Sequence, residues 1–237
     1  MRYLKNETFG QRYGIDPTDL VLWLDQSDPR SYGDVGNWYD SSGQGNHGTQ
    51  AVGANQPAIT GAVGLAGSCR SFDGVAGFLS VPNSASLDIE VNLSVSVWIK
   101  VATLGTDTIL ERVSAAGGNP GWDLITRDPN DRVEFWVGDG VNGWVVGSVN
   151  INNGLWHHIA GVYDGTDAIL YIDGVVDVSG ARTADLDNAE NLGIGGPKIG
   201  TGYFDGFISN AALHNRALTA AEIQRMYLVD KPRYGGF

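Results

Sequence analysis

The chain holds a single cysteine, Cys69, in 237 residues, so no intramolecular disulfide can staple the fold. Cys69 lies in an apparent strand, 68–73, and reads as a buried thiol rather than a reactive nucleophile. Cationic residues are also few. Fifteen Lys and Arg stand against 27 Asp and Glu, a formal net charge of −12, which repels phosphate backbones and anionic membrane surfaces and argues against nucleic acid as a partner. No apolar stretch approaches the roughly 18 residues of a membrane span, and the opening Met1 to Glu7 lacks the apolar run of a secretory signal. The expectation is a soluble chain made in the cytoplasm and not inserted in a membrane. Without such a signal the sequons at Asn6 and Asn92 read as chance matches.

What is present is glycine, 34 residues of it, with aspartate far commoner than glutamate. Gly supplies positive φ and Asp caps turns, so the composition favours strands and loops over helices. All-β sandwiches reach this length as one unit, and a folded chain of this size buries roughly 70–75% of its unfolded surface. A core is therefore available without disulfides or metals. Leu20 to Leu24 is an apolar run of strand length ended by Asp25, and Asp40 to Gly48 is a Gly- and Asn-rich loop. Ser71 to Gly74 followed by Phe78 to Pro82 reads as a hairpin. Leu93, Val95, Val97 and Ile99 alternate with Ser94, Ser96, Trp98 and Lys100, the period of a strand with one face on a core.

Further strands are expected at 107–113, 132–137, 143–149, 156–163 and 168–172, separated by turns such as Gly138-Asp139-Gly140. Their spacing indicates a sandwich or barrel. Asp173-Gly174 suits a type I′ hairpin turn. One short helix is expected, from the N-cap Thr219 with Glu222 three residues on. Residues 1–19 read as an N-terminal extension, 20–228 as the domain and 229–237 as a tail. The aromatic-glycine segments Phe9 to Gly14 and Arg233 to Phe237 are expected to order on a partner surface.

Several segments resemble, in order, the laminin-G-like jelly-roll domains of the concanavalin-A-like superfamily. They are Trp38 to Thr49, Phe72-Asp73-Gly74, Leu93 to Lys100, Trp156 to Gly165 with Leu170 to Gly174, and Phe204 to Ile223. The resemblance implies an all-β, two-sheet antiparallel jelly-roll sandwich. The opening Leu20 to Asp25 with Asp28 to Tyr32 is similar to stand-alone members among bacteriophage structural proteins. That implies a virion surface protein, with capsid or tail proteins and cell-surface glycans as partners; homo-oligomerisation stays open.

Family members often hold calcium with loop oxygens, which marks Asp40 and Asp73, but Ser209-Asn210 stands where many relatives have two acids, so no metal is assigned. Related glycosidases carry Glu-x-Asp-x-(x)-Glu on one strand; the six glutamates here are scattered and no catalytic residue is assigned. His157 and His158 are strand neighbours that point to opposite faces and cannot converge on one ion. The glycine-rich run 193–200 lacks the following helix of a phosphate loop and reads as rim loop and strand.

Sugars stack their apolar faces on indole. Alternation places Arg132, Glu134 and Trp136 on one face of their strand, opposite Val133, Phe135 and Val137, which suggests a solvated Trp136. Trp144 and Trp122 extend the patch if the strands pair as expected. These residues form either a glycan site or packing against core or partner. The expected function is a non-enzymatic binding module on a phage particle; the alternatives are a free carbohydrate-binding lectin and a glycoside hydrolase.

Overall fold

A computed structural model describes residues 7–34, 36–50, 56–60, 68–103, 105–114, 120–127, 129, 131–139, 143–186, 188–196 and 202–234. Of the features named above, residues 1–6, Gly140, residues 197–200 and residues 235–237 lie outside the described residues. The first element is a short helix, α1 (Phe9–Tyr13). Strands follow as β1 (Leu20–Leu24), β2 (Asn37–Trp38), β3 (Gly48–Thr49), β4 (Ala58–Thr60), β5 (Cys69–Asp73) and β6 (Leu79–Val81). Then come β7 (Leu93–Thr103), β8 (Asp107–Val113), β9 (Pro120–Arg127), β10 (Arg132–Asp139) and β11 (Trp144–Val146). The chain continues through β12 (His157–Tyr163), β13 (Asp167–Ile172), β14 (Val175–Ala181), β15 (Leu192–Ile194), β16 (Gly202–Tyr203) and β17 (Asp205–His214). The helix α2 (Ala220–Tyr234) closes the described chain.

Among the described residues the strands form two sheets. One has eight strands in the order β14-β13-β12-β7-β17-β5-β4, with β1 also on β17; the other has nine in the order β11-β10-β9-β8-β15-β6-β3-β2, with β16 parallel to β8. Between them lies the main core, where Val95, Val97 and Ile99 of β7 meet Trp122 and Leu124 of β9 and Val133, Phe135 and Val137 of β10. The all-β two-sheet sandwich expected from the sequence is present. Asp173 (φ 52°) and Gly174 (φ 78°) both take the left-handed region that a type I′ turn requires.

Three expectations are corrected. Strands β5 and β6 are not a hairpin but belong to opposite sheets. Asp73 Oδ1 accepts the amides of Val75, Ala76 and Gly77, a turn that carries the chain across the sandwich. Helix α2 is not short: its capping box, Thr219 with Glu222, opens 15 residues. Nor do the described parts of the aromatic ends, 9–14 and 233–234, stand free for a partner. A second cluster on the outer face of the eight-stranded sheet buries Phe9 and Tyr13 of α1 with Trp23, Leu218, Ile223 and Met226, and Tyr234 is buried as well. The helices cover the sheet's apolar outer face, which water would otherwise wet.

Charges within that second layer are neutralised pairwise. Arg12 contacts Asp25, Asp25 Oδ1 accepts from Arg233 Nη2 at 2.8 Å, and Arg233 Nη1 donates to Asp230 Oδ1 at 2.8 Å. Tyr13 donates its hydroxyl to Asp230 Oδ2 at 2.7 Å. Asn210, held at φ 47° in an irregularity of β17, accepts from Trp23 Nε1 at 2.9 Å and donates to Tyr13 and Asp230. Ser209 donates to the Ser68 carbonyl at 2.8 Å and accepts from Tyr234 at 2.9 Å. The two residues that stand where relatives carry acids are thus structural polar groups in this chain.

Candidate functional site

The face of the nine-stranded sheet turned away from the core carries the sequence-predicted aromatics. Strand register puts Glu111, Asp123, Trp136 and Trp144 in one row across β8, β9, β10 and β11. Trp136 and Trp144 are direct cross-strand neighbours with ring centroids 6.2 Å apart and planes at 47°. Arg127 lies over the Trp144 ring at 5.4 Å and donates from Nε and Nη2 to Glu134 Oε2 at 2.9 and 2.6 Å. Arg132, half-buried, pairs in register with Arg127. Arg132, Glu134, Trp136 and Trp144 therefore do share a face, as alternation predicts.

Two details differ from expectation. Trp122 sits opposite Val137 in the register, so its indole points into the core and is 1% exposed. Trp136 is on the predicted face yet only 7% exposed. Its indole lies against Gly138 and Gly143: a Cβ at Gly143 would come within 2.5 Å of Trp136 Nε1, and one at Gly138 within 3.0 Å of the ring. With no side chains at these positions the ring packs flat on backbone instead of standing into water. The half-buried Trp144 is the more accessible indole of the pair.

No sequence motif marks Asp123, yet its carboxyl is strongly affected by where this face places it. Burial, and then the negative charge of Glu111 and Glu134, push its carboxyl well above the usual range, and Oδ1 has no hydrogen-bond partner among the described residues. Its signal in the sequence is only three acids on three separate strands, and strand register alone brings them together.

The remaining candidates have local roles. Asp40 accepts from the amides of Trp23, Ser42 and Asn46 at 2.9 to 3.0 Å and from the Ser42 hydroxyl at 2.7 Å, so both its oxygens already organise the loop. Hydrogen bonds from the amides around Val75 hold the Asp73 carboxyl below its ordinary value. Among the described residues no group of three or more His, Cys, Asp or Glu is placed to hold a metal ion. His157 meets Asp173 and Asn153, whereas His158 lies beside Trp98 and Tyr227, so the two rings have separate surroundings. Cys69 is buried, which raises its thiol to about 11. No helix among the described residues is long and apolar enough to cross a membrane.

The chain is thus a two-sheet sandwich of the jelly-roll class, with a tryptophan pair on one outer face. Residues 73–224 match the family model of the concanavalin A-like lectin/glucanases superfamily, and the chain belongs to that superfamily. No curated protein matches it in sequence. Among solved structures it is similar to the binding domain of Paraclostridial Mosquitocidal Protein 1, with a TM-score of 0.69, 16% identity, and coverage of 89% of this chain and 52% of that one. It is also similar to domain 4 of AbnA, a GH43 extracellular arabinanase from Geobacillus stearothermophilus in complex with arabinotriose (TM-score 0.64, 20% identity, 88% and 98% covered). Trypanosoma rangeli sialidase follows at a TM-score of 0.66 and 17% identity, with 98% and 36% covered. The chain spans about half the length of the first of these and about a third of the sialidase. At such identities the likeness is one of fold.

Proposed function

We propose that the chain is a non-enzymatic, lectin-like module that binds carbohydrate through the Trp136–Trp144 face and is displayed on the surface of a bacteriophage particle. The observation that carries the binding reading is the tryptophan pair itself, flanked by Arg127 and Glu134 on a face turned away from the core. An indole offers a sugar ring its apolar face, and the flanking charged groups can fix hydroxyls. Domain 4 of the arabinanase was solved in complex with arabinotriose, which is consistent with a sugar ligand on this fold. Virion display rests on the phage-like opening of the sequence, and localisation to the virion follows from it.

Hydrolysis is the weaker reading. A glycosidase opposes an acid and a carboxylate across its substrate. Glu134 is already held by Arg127, and Asp123 is nearly fully buried.

The test is a printed glycan array probed with the native protein and with Trp144→Ala. Native binding with a loss of at least about tenfold in affinity, roughly 1.4 kcal/mol, and an unchanged melting temperature is expected, because Trp144 is half-exposed. A glycan that binds both proteins equally refutes this face as the site. Release of reducing ends from a bound glycan, abolished in Asp123→Asn, would replace binding by hydrolysis. Mass spectrometry of purified particles tests display: a fixed copy number relative to the major shell protein is expected, and absence overturns it.

A further inference from the structure

Helix α2 leaves a cavity where it crosses the outer face of the eight-stranded sheet. Its volume is about 180 Å³, about six water volumes at roughly 30 Å³ each. That is room for one small ring. The walls are aromatic. Trp98 of β7 stacks on Tyr234 (4.4 Å, 24°) and on Tyr227 (5.8 Å, 15°), and Trp156, just before β12, packs on Tyr234 at 5.0 Å. These contacts fix the rings before any ligand arrives, so little ordering cost remains for binding.

Polar groups line the same space. Trp98 is 2% exposed, and its indole N–H has no acceptor among the described residues. A buried donor left unpaired is costly, and an oxygen entering the cavity would supply the missing acceptor. Lys231 lies over the Tyr227 ring at 5.4 Å with no carboxylate partner among the described residues. Asp173 faces the cavity from the β13–β14 turn, bonded to His157 Nδ1 at 2.9 Å and to the His158 amide at 3.0 Å. Burial opposes its ionisation, but these hydrogen bonds keep its carboxyl below the ordinary value. Leu155, 55% exposed, forms an apolar lip.

The occupant must have flat apolar faces and edges that both donate and accept hydrogen bonds. A cationic ligand is disfavoured because Lys231 already occupies one aromatic face, and an anionic one meets the Asp173 carboxylate. We infer that this cavity is a second carbohydrate subsite, which takes one neutral terminal sugar ring against Trp156 with its hydroxyls toward Trp98 Nε1, Lys231 and Asp173. It shares the carbohydrate reading proposed above but sits on the opposite sheet, so the two can be tested apart.

The probes are methyl glycosides of neutral hexoses and pentoses, single rings too small to span the tryptophan face, followed by saturation-transfer NMR on the full chain. At least one is expected to bind, with affinity falling at least tenfold in Trp156→Ala, three- to fivefold in Lys231→Ala and staying within twofold in Trp144→Ala. Lys231 is exposed, so its variant tests the cavity even if Trp156→Ala does not fold. Binding lost in Trp144→Ala but kept in Lys231→Ala and Trp156→Ala overturns the cavity and leaves the tryptophan face standing. So does a native protein that binds arrayed glycans but no methyl glycoside. Silence on both the array and the NMR panel overturns both sites.

Discussion

At the scale of the residue, the informative positions are those where a side chain's chemistry disagrees with its surroundings. Asp123 is the clearest case. Its carboxyl is raised above the value it has in an unfolded chain, first by burial and then by Glu111 and Glu134. The folded state therefore holds the proton more tightly than the unfolded one, and the group costs stability once pH exceeds its unfolded value near 3.9. Asp123→Asn keeps the shape and removes the charge. It is expected to raise the melting temperature at pH 7 and to leave it unchanged below about pH 3.5; an equal shift at both pH values would refute the assignment. Trp136 shows how far one residue's environment can be read in advance. Alternation gave its face correctly, but its burial depends on Gly138 and Gly143, and only the paired register brings those glycines under the ring. Trp122 faces the core for the same kind of reason, its register to Val137 across β9 and β10.

At the scale of the element, the strands with period-two alternation, β7 and β10, were legible because their alternate apolar side chains all point into the main core. The segments that failed were those whose partners are far away in sequence. Helix α1 is five residues long, shorter than any periodicity can reveal, and its own signal was the capping box Thr8 with Gln11. Its packing is substantial nonetheless. Phe9 lies edge-on to Trp23 at 5.3 Å and beside His214 at 5.1 Å. Truncating a buried Phe costs about 3–5 kcal/mol, and a domain of this size loses roughly 2–4 °C per kcal/mol. Phe9→Ala is thus expected to lower the melting temperature by about 10 °C in calorimetry. A change under 2 °C would mean that α1 is a detachable extension after all.

The whole molecule is built in three layers: the nine-stranded sheet, the eight-stranded sheet and the two helices. Its acid response follows from what the middle layer buries. Burial lowers His158 to about 4 and His214 to about 3. For Asp25, burial acts upward, but the guanidinium groups of Arg233 and Arg12 prevail and hold it at about 2. All three values lie below their unfolded counterparts, so each contribution is complete above the unfolded value and is lost as pH falls. The histidine share fades from about pH 6.5 down to 4 and below, on the order of 3 kcal/mol for His158; the Asp25 share fades between about pH 4 and 2. In Asp123→Asn, which removes the opposing contribution of that carboxyl, melting temperature is expected to fall steadily from pH 7 to 4. His214→Leu, which also removes two ring nitrogens without partners, should flatten that slope; an unchanged slope would locate the acid sensitivity elsewhere.

The outer layer also sets how the chain is wired. Tyr13 and Asp230 are 217 positions apart yet hydrogen-bonded at 2.7 Å, so the polypeptide runs as a nearly closed ring. A loop's closure entropy grows only slowly with its length, and here most of that cost falls on the fold itself. Residues 13 and 230 can therefore serve as a seam: the same sandwich is compatible with a circularly permuted order of strands, joined across α1 and α2 and reopened at the exposed turn Gly43 to Gly45.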